Sequence, residues 1–278
     1  MIKFEHSIFA LPFAMIGMMW GSLAATGSAW PGWAKFGWIL LAMVSCRSAA
    51  MAYNRIADRD IDALNPRTKM RAIPAGLLRL GTANLLFFIS LGLFFGSAAM
   101  LGYWPLVLSP VAAFVTLIYS RTKRFTPLCH LVLGLGLAIA PGAAYLAVAG
   151  FVRPEIVALM VAVIGWTAGF DIIYALQDEE FDREHGLRSI PETLGKVGAM
   201  RVSRALHTVA IVALLGATWL ADGGLWGWVG VGFVASVLAF EQSLVKPHDL
   251  SRVNLAFFTL NGFVSLGFFG FCLLDILL

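Results

Sequence analysis

Nine apolar runs constrain this chain more than any other feature. They cover about 7–27, 33–53, 82–100, 103–120, 128–149, 154–175, 203–221, 225–244 and 254–276. Each offers the roughly 17–25 apolar residues that a helix needs to cross the hydrocarbon of a bilayer. Charged residues make up only 13% of the chain, about half of what a soluble domain carries. The expected fold is therefore all-α: one polytopic membrane domain over 1–278. The first run is too long for the apolar part of a cleaved signal peptide, and the next follows almost at once, so it is read as a span.

Charge gives the orientation. An alternating path through nine spans puts the N-terminus and the segments near 54–81, 121–127, 176–202 and 245–253 on one side. Of the 20 Lys and Arg, all but Lys35 and Arg153 fall there. That asymmetry marks the cytoplasmic side, with the N-terminus inside and the C-terminus outside, as in a bacterial inner membrane. It also accounts for the isoelectric point near 9.1 without a nucleic-acid partner, since no basic helix with interleaved aromatics lies outside the spans. Cys46, Cys129 and Cys272 are far apart and form no CxxC pair, so neither a disulfide nor a zinc site is expected. His130, His185, His207 and His248 are scattered and show no ligand spacing.

The acidic residues are less easily explained. Of the 16 Asp and Glu, all but Glu155, Asp222 and Asp275 share the basic side, which the positive-inside rule does not require. Two clusters stand out. Asn54, Asp58 and Asp62 are spaced by four after the second run, and Tyr174, Asp178 and Asp182 are spaced likewise at the end of the sixth, with Asp171 three residues before Tyr174. At about 100° per residue, each set falls within an arc of about 80° on a helix. Arg47 projects onto nearly the same face as Asn54. Like charges at this spacing destabilise a helix unless a cation neutralises them. Oxygen ligands without His or Cys select Mg²⁺ or Ca²⁺ over zinc or iron. Two such helix ends facing each other would hold divalent ions with a diphosphate between them.

A basic turn follows each stripe. Asn65-Pro66-Arg67-Thr68-Lys69-Met70-Arg71-Ala72-Ile73-Pro74 follows the first, and Arg188-Ser189-Ile190-Pro191 follows the second. Tyr174 stands 120 residues after Asn54, as Asp178 does after Asp58 and Asp182 after Asp62. This reads as a divergent internal repeat with halves near 47–76 and 171–195. Arg67, Lys69, Arg71 and Arg188 are the leading diphosphate contacts, since guanidinium pairs suit phosphate oxygens. Lys123 and Arg124 form a third basic loop on the same side, and Arg47 is a further candidate.

The two stripes, with Asn65-Pro66-Arg67-Thr68-Lys69, resemble the signature motifs of the UbiA superfamily of intramembrane aromatic prenyltransferases. The likeness covers essentially the whole chain. Phe4-Glu5-His6-Ser7-Ile8-Phe9 and Tyr119-Ser120-Arg121-Thr122-Lys123-Arg124 resemble the 4-hydroxybenzoate polyprenyltransferase branch. The resemblance implies nine helices around a central cavity with a cytoplasmic cap. It implies Mg²⁺ held by Asn54, Asp58, Asp62, Asp178 and Asp182 with Asp171 close by, and diphosphate held by Arg67, Lys69, Lys123, Arg124 and Arg188. Asp58, Asp62, Asp178, Asp182 and Tyr174 would then form the catalytic set, and Glu5 and His6 are acceptor-side candidates. Arg188 stands where many members carry Lys.

The implied reaction is Mg²⁺-dependent transfer of a polyprenyl group from its diphosphate to the ring of an aromatic acid such as 4-hydroxybenzoate, for respiratory quinone synthesis. The same chemistry on a dihydroxynaphthoate, for menaquinone, is the alternative acceptor reading. Membrane lipid is the expected surrounding. A secondary transporter would also bury carboxylates, but its sites tend to lie near the midplane on broken helices. A chain-elongating isoprenyl synthase would carry DDxxD, which is absent from this chain.

Overall fold

The computed structural model describes residues 7–278. Eleven α-helices follow one another: α1 (Ser7–Thr26), α2 (Trp33–Ala57), α3 (Arg59–Leu64), α4 (Leu80–Leu101), α5 (Tyr103–Thr122), α6 (Cys129–Ala149), α7 (Pro154–Ala175), α8 (Glu179–Glu184), α9 (Ile190–Leu220), α10 (Leu225–Leu244) and α11 (Asn261–Leu277). Among the described residues there is no strand, and nine helical segments are long and apolar enough to cross a membrane. They match the nine apolar runs. Leu85, Phe88, Phe114 and Val212 lie more than half exposed on their outer faces. Large apolar side chains turned outward along several helices are costly in water and suited to lipid.

The helices α1, α6, α7, α9, α10 and α11 share one core, with Phe13, Trp166, Phe170 and Phe268 among its buried side chains. The helices α2, α4 and α5 pack on one another, and α5 closes against α6. Lipid provides no hydrophobic drive between helices, so close backbone approach does much of the holding. A Cβ added at Gly165 of α7 would lie 2.7 Å from the Leu206 carbonyl oxygen of α9, and one at Gly134 of α6 would lie 2.7 Å from the Ile164 carbonyl oxygen of α7.

Three departures from the sequence expectation bear on the site. The first is that each stripe bends instead of riding one straight helix. Asp58 (φ −100°, ψ 4°) separates α2 from α3, and Asp178 (φ −103°, ψ 2°) ends the 3₁₀ turn Leu176–Asp178 before α8. Both carboxylates occupy the sparsely populated bridge region of backbone space. The second is that α9 begins at Ile190, ahead of the apolar run at 203–221, with Gly195 kinking it at φ 67°. The third is a π-turn, Leu255–Leu260, that leads into α11.

Candidate active site

Local backbone keeps each bent stripe together. The Asp58 amide donates to the Asn54 carbonyl at 3.0 Å, and the Asp62 amide donates to the Asp58 carbonyl at 2.7 Å. Spacing by four thus survives the break. Asn54 Nδ2 donates to Asp58 Oδ2 at 2.8 Å and to Ser120 Oγ at 3.3 Å. Asp62 is buried, and Arg71 from the following turn donates to its Oδ1 at 2.6 Å.

The second stripe is bound by cations from elsewhere in the chain. Arg67 grips Asp178 bidentately, through Nε at 2.9 Å and Nη2 at 2.5 Å, while Asn65 Nδ2 adds a bond of 3.3 Å. A third Arg67 nitrogen, Nη1, donates to the Tyr174 hydroxyl at 3.1 Å. Lys123 Nζ donates to both Asp182 oxygens, at 3.0 and 2.8 Å. Ser189, the N-cap of α9, donates to Asp182 Oδ2 at 2.9 Å. Lys123 and its neighbour Arg124 straddle the two stripes: Arg124 Nη2 lies 3.5 Å from Asp58 Oδ1. The stripes therefore meet at one end of the bundle.

Four carboxylates, Asp58, Asp62, Asp178 and Asp182, face four cations, Arg124, Arg71, Arg67 and Lys123. Burial, together with the charge of Asp62, pushes the Asp58 carboxyl up to about 6, against the pull of Arg124. Burial lowers Arg67 and Lys123, but the carboxylates of Asp178 and Asp182 outweigh it and hold both cations above their usual range.

These groups line the polar end of a cavity of about 960 Å³. Much of the rest of its wall is apolar, with Phe9, Met43, Leu133, Leu137 and Phe170 among the lining residues. Deeper in, Arg47 lines the cavity beside Cys46 and Tyr119, and its buried Nε has no hydrogen-bond partner. Asp171 also lines it, but pairs with His130 (Nδ1 to Oδ2, 2.6 Å). The Ile190 amide lies 3.4 Å from His130 Nε2, so both ring nitrogens have a partner.

Two expected cations are elsewhere. The side chains of Lys69 and Arg188 are exposed and do not line the cavity; Arg188 contributes its backbone amide, 2.6 Å from the Lys123 carbonyl. Glu5 and His6 lie outside the described residues. Sequence reasoning missed Asn65, Ser120, Ser189 and His130. Asn65 and Ser189 adjoin the basic residues of their turns, and Ser120 adjoins the third basic loop. Nothing in the sequence distinguished His130.

The donor set suits a hard divalent cation. It is all oxygen and amide, and Asp62 Oδ2 is buried without a partner. Among the described residues no three His, Cys, Asp or Glu converge on one point, so these residues alone form no closed cage. Mg²⁺ is typically held by one or two carboxylates completed by substrate phosphate, which such an open arrangement fits.

A helical membrane bundle whose apolar cavity ends in carboxylates and cations defines a protein that holds an anionic head and an apolar tail together. The comparisons narrow this. Residues 14–266 match the model of the UbiA prenyltransferase family. The chain is 31% identical over 234 residues to a 4-hydroxybenzoate octaprenyltransferase of Shewanella sediminis, covering 82% of this chain and 81% of that one. It is 29% identical to one of Methylococcus capsulatus, covering 95% and 88%. A UbiA homolog of Aeropyrum pernix K1 in its apo form superposes with TM-score 0.89 at 35% identity over 99% of both chains. A UbiA homolog of Archaeoglobus fulgidus bound to DMAPP and Mg²⁺ shares the fold, with TM-score 0.73 at 19% identity over 99% and 98%. The chain belongs to the UbiA prenyltransferase family and is an integral membrane prenyltransferase.

Proposed function

We propose that this enzyme transfers a polyprenyl group from its diphosphate to a ring carbon of 4-hydroxybenzoate or a close aromatic acid, in quinone biosynthesis, with Mg²⁺ as cofactor. The observation that carries the reading is the meeting of both carboxylate stripes with Arg67, Arg71, Lys123 and Arg124 at the polar end of a deep apolar cavity. The names of the bacterial relatives support the acceptor and the pathway. The charge asymmetry of the loops supports a cytoplasmic N-terminus and polar end.

In this reading Asn54, Asp58 and Asp62 hold the metal with Asp178 and Asp182. When bound, Mg²⁺ neutralises negative charge gathering on the departing diphosphate. Arg67, Arg71, Lys123 and Arg124 turn from the carboxylates toward the phosphate oxygens and stabilise the same charge. Arg47 offers one more anion contact further in. The apolar wall holds the tail and keeps water from the allylic cation. Tyr174 places its ring and hydroxyl beside that cation. The acceptor carbon next to the phenol hydroxyl then bonds to the allylic carbon, and loss of a ring proton restores aromaticity.

The test is a purified-protein assay with Mg²⁺, geranyl diphosphate and 4-hydroxybenzoate. The expected result is diphosphate release matched by prenylated acid, with both abolished by EDTA or by Asp178→Ala. Product from a dihydroxynaphthoate alone would reassign the acceptor, and turnover indifferent to chelation would overturn the metal's role.

A further inference from the structure

A second set of polar groups lies inside the bundle and is not part of the cavity lining. Glu241 of α10 and Asn261 at the start of α11 are fully buried. Asn261 Nδ2 donates to Glu241 Oε1 at 3.2 Å, and Asn261 Oδ1 accepts from the Trp166 indole N–H at 2.6 Å. The same Nδ2 lies 3.1 Å from the Ala256 carbonyl and 3.2 Å from the Phe257 carbonyl. Both carbonyls belong to the π-turn Leu255–Leu260. Glu241 Oε2 is buried without a partner. A carboxyl group at membrane depth is expensive, and apolar side chains of the same size would pack there at lower cost. A π-turn inside a helix is itself rare and concentrates at functional sites.

What the turn presents is Phe257. Its ring lines the cavity and lies 4.1 Å from the Tyr174 ring, centroid to centroid, and 5.4 Å from the Phe170 ring. Tyr174 in turn sits beneath the Arg67 guanidinium, 5.2 Å from its central carbon. A continuous path of contacts therefore runs from Glu241 through Asn261 and Phe257 to the diphosphate end.

We propose that Asn261, fixed by Glu241 and Trp166, is a positioning residue that sets the π-turn so that Phe257 seals the aromatic wall beside Tyr174 and decides the fate of the allylic cation. This rests on the prenyl-transfer reading above. When the allylic C–O bond breaks, its electron pair leaves with diphosphate. The cation then bonds to the acceptor ring carbon, which loses a proton, or to a water oxygen, which loses a proton to leave a prenyl alcohol. Aromatic faces attract a cation and exclude water, so a displaced Phe257 favours the second course.

The experiment measures prenylated acid and geraniol in one reaction of the full chain with Mg²⁺, geranyl diphosphate and 4-hydroxybenzoate. For Asn261→Leu the ratio of alcohol to prenylated acid should rise about tenfold, a change of about 1.4 kcal/mol in relative barriers, with KM for the diphosphate within about twofold of wild type. Phe257→Leu should reproduce the rise. Glu241→Gln, which keeps an acceptor for Asn261, should stay near wild type. If Asn261→Leu does not fold, Trp166→Phe removes one of the same bonds and should move the ratio in the same direction. A ratio unchanged in the folded variants, whether or not overall rate falls, would leave Asn261 a structural residue only and overturn the proposal. A wild-type protein yielding neither product would overturn the transfer reading itself, and this inference with it.

Discussion

Asp58 shows how much one side chain can be asked to do before any ligand arrives. It ends α2, takes a bond from Asn54 and shares Arg124 with the Ala57 carbonyl. Burial and the charge of Asp62 raise its carboxyl from the usual 3.8 to about 6. The sign follows. A carboxyl that holds its proton more tightly when folded favours the metal-free fold most at low pH, and that advantage is lost as pH rises through about 6. On the proposed role of Asp58 as a metal ligand, binding needs the ionised form and weakens as pH falls. The Mg²⁺ concentration for half-maximal activity should climb as pH falls below 6, approaching about tenfold per unit. A Mg²⁺ titration at several pH values checks this, and a flat requirement between pH 7.5 and 5 would contradict it. Asp58, Asp62, Asp178 and Asp182 were legible in the sequence because a helix converts spacing by four into proximity, and the i to i−4 bond survives the bend. Lys69 and Arg188 were not, because an irregular turn has no period to say which of its cations faces inward. His130 gave no signal because its partner, Asp171, lies 41 residues away.

At the scale of elements, the spans were readable because apolar length is a property of composition, and the interruptions were not. Neither Asp58 nor Asp178 adjoins a Gly or Pro, the residues that usually announce a break, and the π-turn at Leu255–Leu260 has none inside it. The helix ends far from the cavity are held by ordinary caps reached across the fold. Asp275, near the end of α11, accepts from the Gly224 amide at 2.8 Å and the Gly227 amide at 3.0 Å, at the start of α10. It supplies the carboxylate that α10 lacks in its own first turn. Removing a capping side chain costs about 1 kcal/mol. Asp275→Ala should lower the detergent-solubilised melting temperature while leaving kcat and KM unchanged, because none of these residues lines the cavity. A loss of activity without a loss of stability would place that end of the bundle in the catalytic path.

The whole molecule is a two-solvent device: a charged end where carboxylates and cations balance, and an apolar hold behind it. Val44 of α2 and Leu108 and Val111 of α5 line the cavity and are also exposed, at 48%, 43% and 58%, which makes the boundary of these two helices the expected way out for a long tail. A substrate whose head needs the charged end and whose tail outgrows the hold would leave its far units between these helices. Ala112, half-buried on α5 beside Val111, also lines the cavity, and a bulky ring there would narrow the passage without touching the carboxylates. Ala112→Trp should therefore cut kcat/KM for a long-chain polyprenyl diphosphate by about tenfold or more, equivalent to about 1.4 kcal/mol, while a dimethylallyl or geranyl donor keeps most of its rate. Competition between a short and a long donor in one vesicle-reconstituted reaction reads this directly as a shift in product ratio. Equal losses for both donors would mean that the tail takes another route out of the bundle, and that the boundary between α2 and α5 is not its exit.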